Sequence, residues 1–192
     1  MNIEEAKLIK ASQLGDLSSF EKLMLRYQDR AYRIAYGMLG NPEDAKDAAQ
    51  ESFIKIYKSL GGFKLQSNFS TWMYRIVHNT CLDIIRKQQR RQEIPIETKN
   101  PSNNEGYEIP LEDPKEGPEA LLKYKMVKEE IKNEILKLPI EYQGVIILRD
   151  IEGLTYDEIA SVLEISEGTV KSRLNRGRKQ LRKSLAELLQ EG

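Results

Sequence analysis

The sequence predicts an all-α protein: two small helical domains joined by a flexible proline-rich acidic linker, the second domain a helix-turn-helix. Three observations predict it. Apolar residues recur at helical spacing on both flanks of the chain, strand-like alternation is absent, and the prolines are concentrated between the flanks. Five of the seven prolines (Pro95, Pro101, Pro110, Pro114 and Pro118) lie between Ile94 and Pro118, with Asn103-Asn104, Gly106 and Gly117 among them. That density blocks regular helix, and an acidic excess keeps the segment solvated. The expected boundaries are 1–93, 94–117 and 118–192. With 192 residues, 40% of them hydrophobic, the chain can bury a core and is not a disordered polyelectrolyte.

In the first domain Phe20, Leu23, Tyr27, Ile34 and Met38 form one helical stripe, with Ser18 and Ser19 as capping candidates. Asn41-Pro42 supplies an N-cap followed by proline at the first helical position, and Glu43 and Asp44 complement the helix dipole. That helix is expected to run to about Leu60 and stop at Gly61-Gly62. Another is expected from Ser70 to about Arg91. In the second domain Pro118 opens a helix ending near Leu138, before Pro139. A helix over Tyr142–Ile151 closes at Gly153. Thr155-Tyr156-Asp157-Glu158 reads as a capping box for a short helix, Tyr156–Leu163. A tight turn at Glu164-Ile165 follows, and Ser166 caps the last helix. Short helix, turn and capped second helix make a helix-turn-helix.

The net charge is zero, from 30 basic and 30 acidic residues, but it is unevenly distributed. Residues 63–93 carry net +4 and residues 166–192 net +4, separated by an acidic segment. Local basic stripes matter more to phosphate binding than the whole-chain sum. The single cysteine, Cys81, excludes an internal disulfide framework and a cysteine-built zinc finger. No charge-free run exceeds Leu65–Tyr74, too short for the ~20 apolar residues of a membrane span. Without an apolar leader near Glu4, Glu5, Lys7 and Lys10, a cytoplasmic location is expected.

On a helical wheel of the last helix, Val170, Leu174, Gly177 and Leu181 fall within about 60° and face inward. Ser172, Asn175, Arg176, Lys179 and Lys183 lie opposite, flanked by Lys171, Arg173 and Arg178. Seven basic and no acidic residues occur between Gly168 and Lys183. Lysine and arginine suit phosphates, while Ser, Asn and Arg suit base edges in a major groove. A solvated basic surface helix is the plainer alternative. On the Ser70–Arg91 helix, Arg75, Asn79, Leu82 and Arg86 lie opposite Met73, Val77, Thr80 and Ile84, with Asp83 nearby. Phe63, Phe69, Trp72 and Tyr74 cluster upstream. Cations interleaved with aromatics suit single-stranded nucleic acid, though the aromatics could equally fill a core. Glu43, Asp44, Asp47 and Glu51 could ligate magnesium but suit dipole complementarity better. His78 and Cys81 supply only two of the four ligands a zinc site needs. No cofactor and no metal is expected.

The motifs Asp44-Ala-Lys-Asp-Ala-Ala-Gln-Glu-Ser-Phe53, Phe69-Ser-Thr-Trp-Met-Tyr-Arg-Ile76 with Asn79, and Leu138-Pro139 with Tyr142 resemble the extracytoplasmic-function (ECF) sigma factors of bacterial RNA polymerase. So do Glu152-Gly-Leu-Thr-Tyr-Asp-Glu-Ile-Ala160 and Gly168-Thr-Val-Lys-Ser-Arg173. The sequence departs from that pattern at the Lys64–Asn68 loop and at His78. The resemblance implies a non-enzymatic factor that binds core RNA polymerase, directs it to promoters through the −35 and −10 elements, and promotes DNA melting. It implies −35 contacts from Lys171, Ser172, Arg173, Asn175, Arg176 and Lys179. For −10 reading and melting it implies Phe69, Trp72, Arg75, Asn79, Asp83 and Arg86. Polymerase docking would use Asp47, Gln50 and Glu51, with the β′ clamp and the β flap as partners, promoter DNA as ligand, and an anti-sigma factor as regulator, without membrane insertion. A recombinase using the acidic helix for metal, or a stand-alone dimeric regulator, would share the helix-turn-helix.

Overall fold

A computed structural model describes residues 3–65, 68–92 and 118–191; the expected linker, 94–117, lies outside them. The described residues form nine α-helices and no strand: α1 (Ile3–Gln13), α2 (Leu17–Leu25), α3 (Gln28–Leu39), α4 (Pro42–Ser59), α5 (Phe69–Gln92), α6 (Pro118–Leu136), α7 (Ile140–Ile146), α8 (Tyr156–Leu163) and α9 (Glu167–Glu191). A 3-10 turn, Leu60–Gly62, follows α4, and a π-helical turn, Ile147–Ile151, follows α7.

Local signals set many of these ends. Asn41 caps α4 by accepting from the amides of Glu43 at 2.9 Å and Asp44 at 3.1 Å, with Pro42 in the first turn. Thr155 and Glu158 form the reciprocal capping box, Glu158 N to Thr155 Oγ1 at 3.3 Å and Thr155 N to Glu158 Oε2 at 2.8 Å. Ser166 Oγ accepts from the Thr169 amide at 3.1 Å and opens α9.

Other ends differ from the sequence expectations. Ser18 and Ser19 do not cap α2; Asp16 does, accepting from the Ser18 amide at 3.0 Å and from both hydroxyls. Those bonds, Ser19's first, hold the Asp16 carboxyl below its ordinary range. The expected stripe from Phe20 to Met38 is divided between α2 and α3 without a proline or glycine to mark the break. Tyr27 at the break donates to Glu5 of α1, and its ring lies 5.5 Å from Phe69 and 6.4 Å from Tyr74. A tertiary anchor therefore sets the bend. The helix expected over Tyr142–Ile151 starts at Ile140 and widens into the π-turn, where Glu152 N reaches back to Ile147 O at 3.0 Å. Helix α1 was not anticipated; Gln13 ties it to the Leu60 and Phe63 carbonyls at 3.0 and 2.9 Å.

Helices α1–α5 enclose Ile9, Leu23, Ile34, Ile56, Leu60, Phe69, Met73 and Tyr74, all at most 1% exposed. Helices α6–α9 enclose Val145, Ile146, Leu148, Ile159, Val162, Val170 and Leu174, and the two sets join into one apolar cluster. Gly40 ends α3 with φ 72°, and a Cβ there would overlap Leu136 Cδ1 of α6. Left-handed backbone costs a non-glycine residue ~1–2 kcal/mol, and the overlap adds to it. Gly40→Ala should therefore lower stability by about 2 kcal/mol or more, read as a reduced urea midpoint with an unchanged slope.

Candidate nucleic-acid interface

Helix α9 is seated on α7 by Val170, Leu174 and Gly177, which are all buried. A Cβ on Gly177 would lie 2.9 Å from Ile146 Cδ1 and 3.1 Å from Tyr142 Cβ, so the backbones meet closely there. This contact sets the roll of α9. Lys171, Ser172, Asn175, Arg176 and Lys179 are consequently exposed, while Arg173 is half-buried. Ser172 donates its hydroxyl to Thr169 O at 3.0 Å, leaving lone pairs to accept from a ligand. A shallow groove of about 480 Å³ brings Lys171, Asn175 and Lys179 together with Tyr156, Arg178 and Arg182. Ser172, Arg173 and Arg176 do not line it. Tyr156 and Arg182 lie outside the expected contacts, and Arg178, expected only to flank the outward face, lines the groove with them. Tyr156 lies 5.8 Å from Lys171 Nζ and 5.1 Å from the Arg149 guanidinium, and Asp150 fixes Arg178 through two hydrogen bonds. The basic run could have flagged both arginines; nothing local flags Tyr156.

On α5 the expected residues divide. Asn79, Asp83 and Arg86 are exposed, with Arg86 Nη1 3.7 Å from Asp83 Oδ1. Arg75 is half-buried and turned toward α8, giving 3.0 Å to Glu164 Oε1 and 2.6 Å to Ser161 O. Phe69 corrects the expectation of a stacking surface. It is fully buried among Tyr27, Phe63 and Trp72, with centroids at 5.5, 5.4 and 5.6 Å, and so belongs to the core. Trp72 is half-buried, its ring 5.0 Å from Phe63.

Helix α4 packs through Ala45, Ala48, Ala49, Ser52 and Ile56, which turns Asp47, Gln50 and Glu51 outward. Gln50 also lines a groove of about 400 Å³ shared with Gln28, Asp29 and Tyr32 of α3. Among the described residues no three His, Cys, Asp or Glu side chains converge as a metal site. Asp44 accepts from Gln88 at 3.0 Å and Glu51 pairs with Lys55 at 2.8 Å. Among the same residues no helix is long and apolar enough to cross a membrane.

His78 and Cys81 are buried in α5. Burial pushes the Cys81 thiol up to about 12 and the His78 imidazole down to about 4, the Asn79 side chain opposing the latter shift. Above pH ~6.5 His78 is neutral whether the chain is folded or unfolded. As the pH falls below that value the unfolded chain takes up a proton that the folded chain refuses, and stability drops until about pH 4. Between pH 7 and 5 the wild type should lose on the order of 2 kcal/mol more than His78→Gln, measured by urea unfolding at each pH. Parallel pH profiles would contradict this.

Comparison with known proteins matches residues 23–91 to Sigma-70 region 2 and residues 128–181 to Sigma-70, region 4. The chain is 38% identical to the ECF RNA polymerase sigma factor SigW of Bacillus subtilis, covering 95% of this chain and 97% of that one. It is 33% identical to the RNA polymerase sigma-H factor of Pseudomonas aeruginosa, covering 98% and 97%. Its fold is similar to CnrH, solved in complex with the cytosolic domain of CnrY, with a TM-score of 0.68, 22% identity, and 96% and 98% coverage. It is also similar to the sigma factor RpoE of Bartonella quintana, solved with the anti-sigma factor NepR, with a TM-score of 0.65, 22% identity, and 88% and 98% coverage. Both helical regions thus find their counterparts, in the same order, in full-length relatives. The chain belongs to the ECF sigma factors, non-enzymatic initiation factors through which RNA polymerase transcribes from specific promoters.

Proposed function

We propose that α9 enters the major groove of the −35 element while α5 holds the melted −10 strand. The single observation that carries this reading is the roll of α9. Its apolar face is consumed by α7, and its outward face combines cations with Ser172, Asn175 and Arg176, which can address base edges. Residues 1–93 serve as the core-binding and −10-reading domain and residues 118–192 as the −35-reading domain, with 94–117 as linker. Asp47, Gln50 and Glu51 dock on the β′ clamp, and the second domain meets the β flap. The protein acts in the cytoplasm. The complexes of CnrH with CnrY and of RpoE with NepR support a protein anti-sigma partner for this chain as well.

On α5, Asn79, Asp83 and Arg86 form the available reading surface, Arg75 adding a cation once released from α8. A base leaving the duplex needs replacement hydrogen bonds, and the Asn79 amide both donates and accepts. Holoenzyme carrying Asn79→Ala should bind core polymerase normally but show weaker permanganate reactivity of −10 thymines, with partial recovery on a premelted template. Unchanged opening and unchanged −10 base preference would contradict the assignment. On α9, Lys179 is assigned to phosphate. Lys179→Ala should weaken holoenzyme binding uniformly across promoter sequences and reduce the slope of log affinity against log salt by about 1. A sequence-selective loss would instead make Lys179 a base reader.

A further inference from the structure

Seven basic and no acidic residues occur between Gly168 and Lys183, yet the fold brings a carboxylate onto that face of α9. Asp150 accepts from Arg178 Nε at 3.0 Å and from Arg178 Nη2. It comes from the π-helical turn Ile147–Ile151, four residues after the Ile146 that lies against Gly177, so the turn aims it at α9. The cation beside it is turned elsewhere: Arg149 donates to Leu154 O at 2.6 Å and lies 5.1 Å from the centre of the Tyr156 ring.

Folding alone does not account for the pair. The side chains of Arg178 and Asp150 are 45% and 36% exposed, and an exposed ion pair adds little to stability. An anion on a phosphate-binding face also weakens that face's attraction for DNA. The geometry offers a reason for it. A guanidinium carries five N–H donors in a planar fork, and Asp150 takes the edge formed by Nε and Nη2. The edge left over, Nη1 with the second Nη2 hydrogen, matches two oxygens of one phosphate. Arg178 lines the groove it shares with Lys171, Asn175 and Lys179. Lys171, by contrast, meets Glu167 by one contact at 3.8 Å, which fixes no orientation.

We propose that Asp150 is a positioning residue for −35 recognition: it holds the Arg178 guanidinium edge-on to one DNA phosphate and so fixes the register in which α9 meets the base pairs. The inference rests on the major-groove role of α9 proposed above. Phosphate contacts set register, and base contacts then set sequence. A held guanidinium binds its phosphate without further loss of rotamer freedom, whereas an unheld one can reach several phosphates. In any other register the Asp150 carboxylate stands against the DNA backbone and opposes binding. Asp150 thus gives up non-specific attraction in exchange for discrimination.

The test uses holoenzyme reconstituted with the full chain, titrated onto a promoter duplex and onto the same duplex with a scrambled −35 element. Asp150→Asn keeps the shape of the side chain and removes its charge. It should weaken promoter binding about fivefold, the cost of ordering one long side chain, while binding to the scrambled duplex tightens. Arg178→Ala should weaken promoter binding and reduce the slope of log affinity against log salt by about 1. In the Arg178→Ala background the effect of Asp150→Asn should reverse, tightening promoter binding, because it then removes only an unpaired anion. That reversal is a readout that a structural role would not give. Tighter promoter binding by Asp150→Asn in both backgrounds would reduce Asp150 to a repulsive charge and overturn the proposal. Unchanged binding in both, or an Arg178→Ala chain with wild-type affinity and salt slope, would overturn it as well. A wild type with no preference between the two duplexes would instead bring down the major-groove reading, and this inference with it.

Discussion

The seating of α9 on α7 is the constraint on which the rest depends. Val170 and Leu174 are at most 2% exposed, and burying such side chains stabilises by ~1.5–3 kcal/mol each. Gly177 lets the helix approach Tyr142 and Ile146 closely enough for that burial. Once this face is committed, no freedom of roll remains. The residues that point outward follow from helical periodicity, and they are the cations Lys171, Arg176 and Lys179, the hydroxyl of Ser172 and the amide of Asn175. The same logic operates in α4, where alanines at 45, 48 and 49 take the inner face and turn Asp47, Gln50 and Glu51 to solvent. Function rests on which face each helix can bury.

The ion pair between Arg33 of α3 and the buried Glu152, Nε to Oε1 at 2.7 Å, obeys a different physics. A buried ion pair contributes little net stability against an apolar substitute, because desolvation offsets the attraction. Removing one partner alone leaves a stranded charge, which typically costs ~3–5 kcal/mol. The pair therefore specifies one arrangement of the two helical sets more than it strengthens either. The π-turn at Ile147–Ile151 contributes to that arrangement, since Glu152 closes it through its own amide. His78 belongs to the same junction: its Nε2 would lie 3.0 Å from a Cβ on Gly144 of α7.

What was legible in the sequence was local. Asn41-Pro42, the Thr155–Glu158 box and Ser166 are caps whose donors and acceptors lie within three residues, and all are formed. The inner face of α9 was legible because one long helix repeats its period several times. The features that were not legible are set by distant partners. The break near Tyr27 depends on Glu5, Phe69 and Tyr74, and α1 is held by Gln13 on the carbonyls of Leu60 and Phe63. Phe69 has the composition of a stacking platform but lies within a cage of three other rings, which only the fold supplies. Glu152 and Arg33 are 119 residues apart, and no spacing rule joins them.

The central claim, that the outward face of α9 reads promoter bases, is tested most directly by transcription with reconstituted holoenzyme on a library randomised across the −35 element. The transcripts would be sequenced for the wild type, Asn175→Ala and Arg176→Ala. The account predicts that each substitution erases preference at one base pair, a discrimination of ~1–3 kcal/mol, and leaves preference elsewhere in the element intact. An identical ranking of −35 sequences for all three proteins would contradict it.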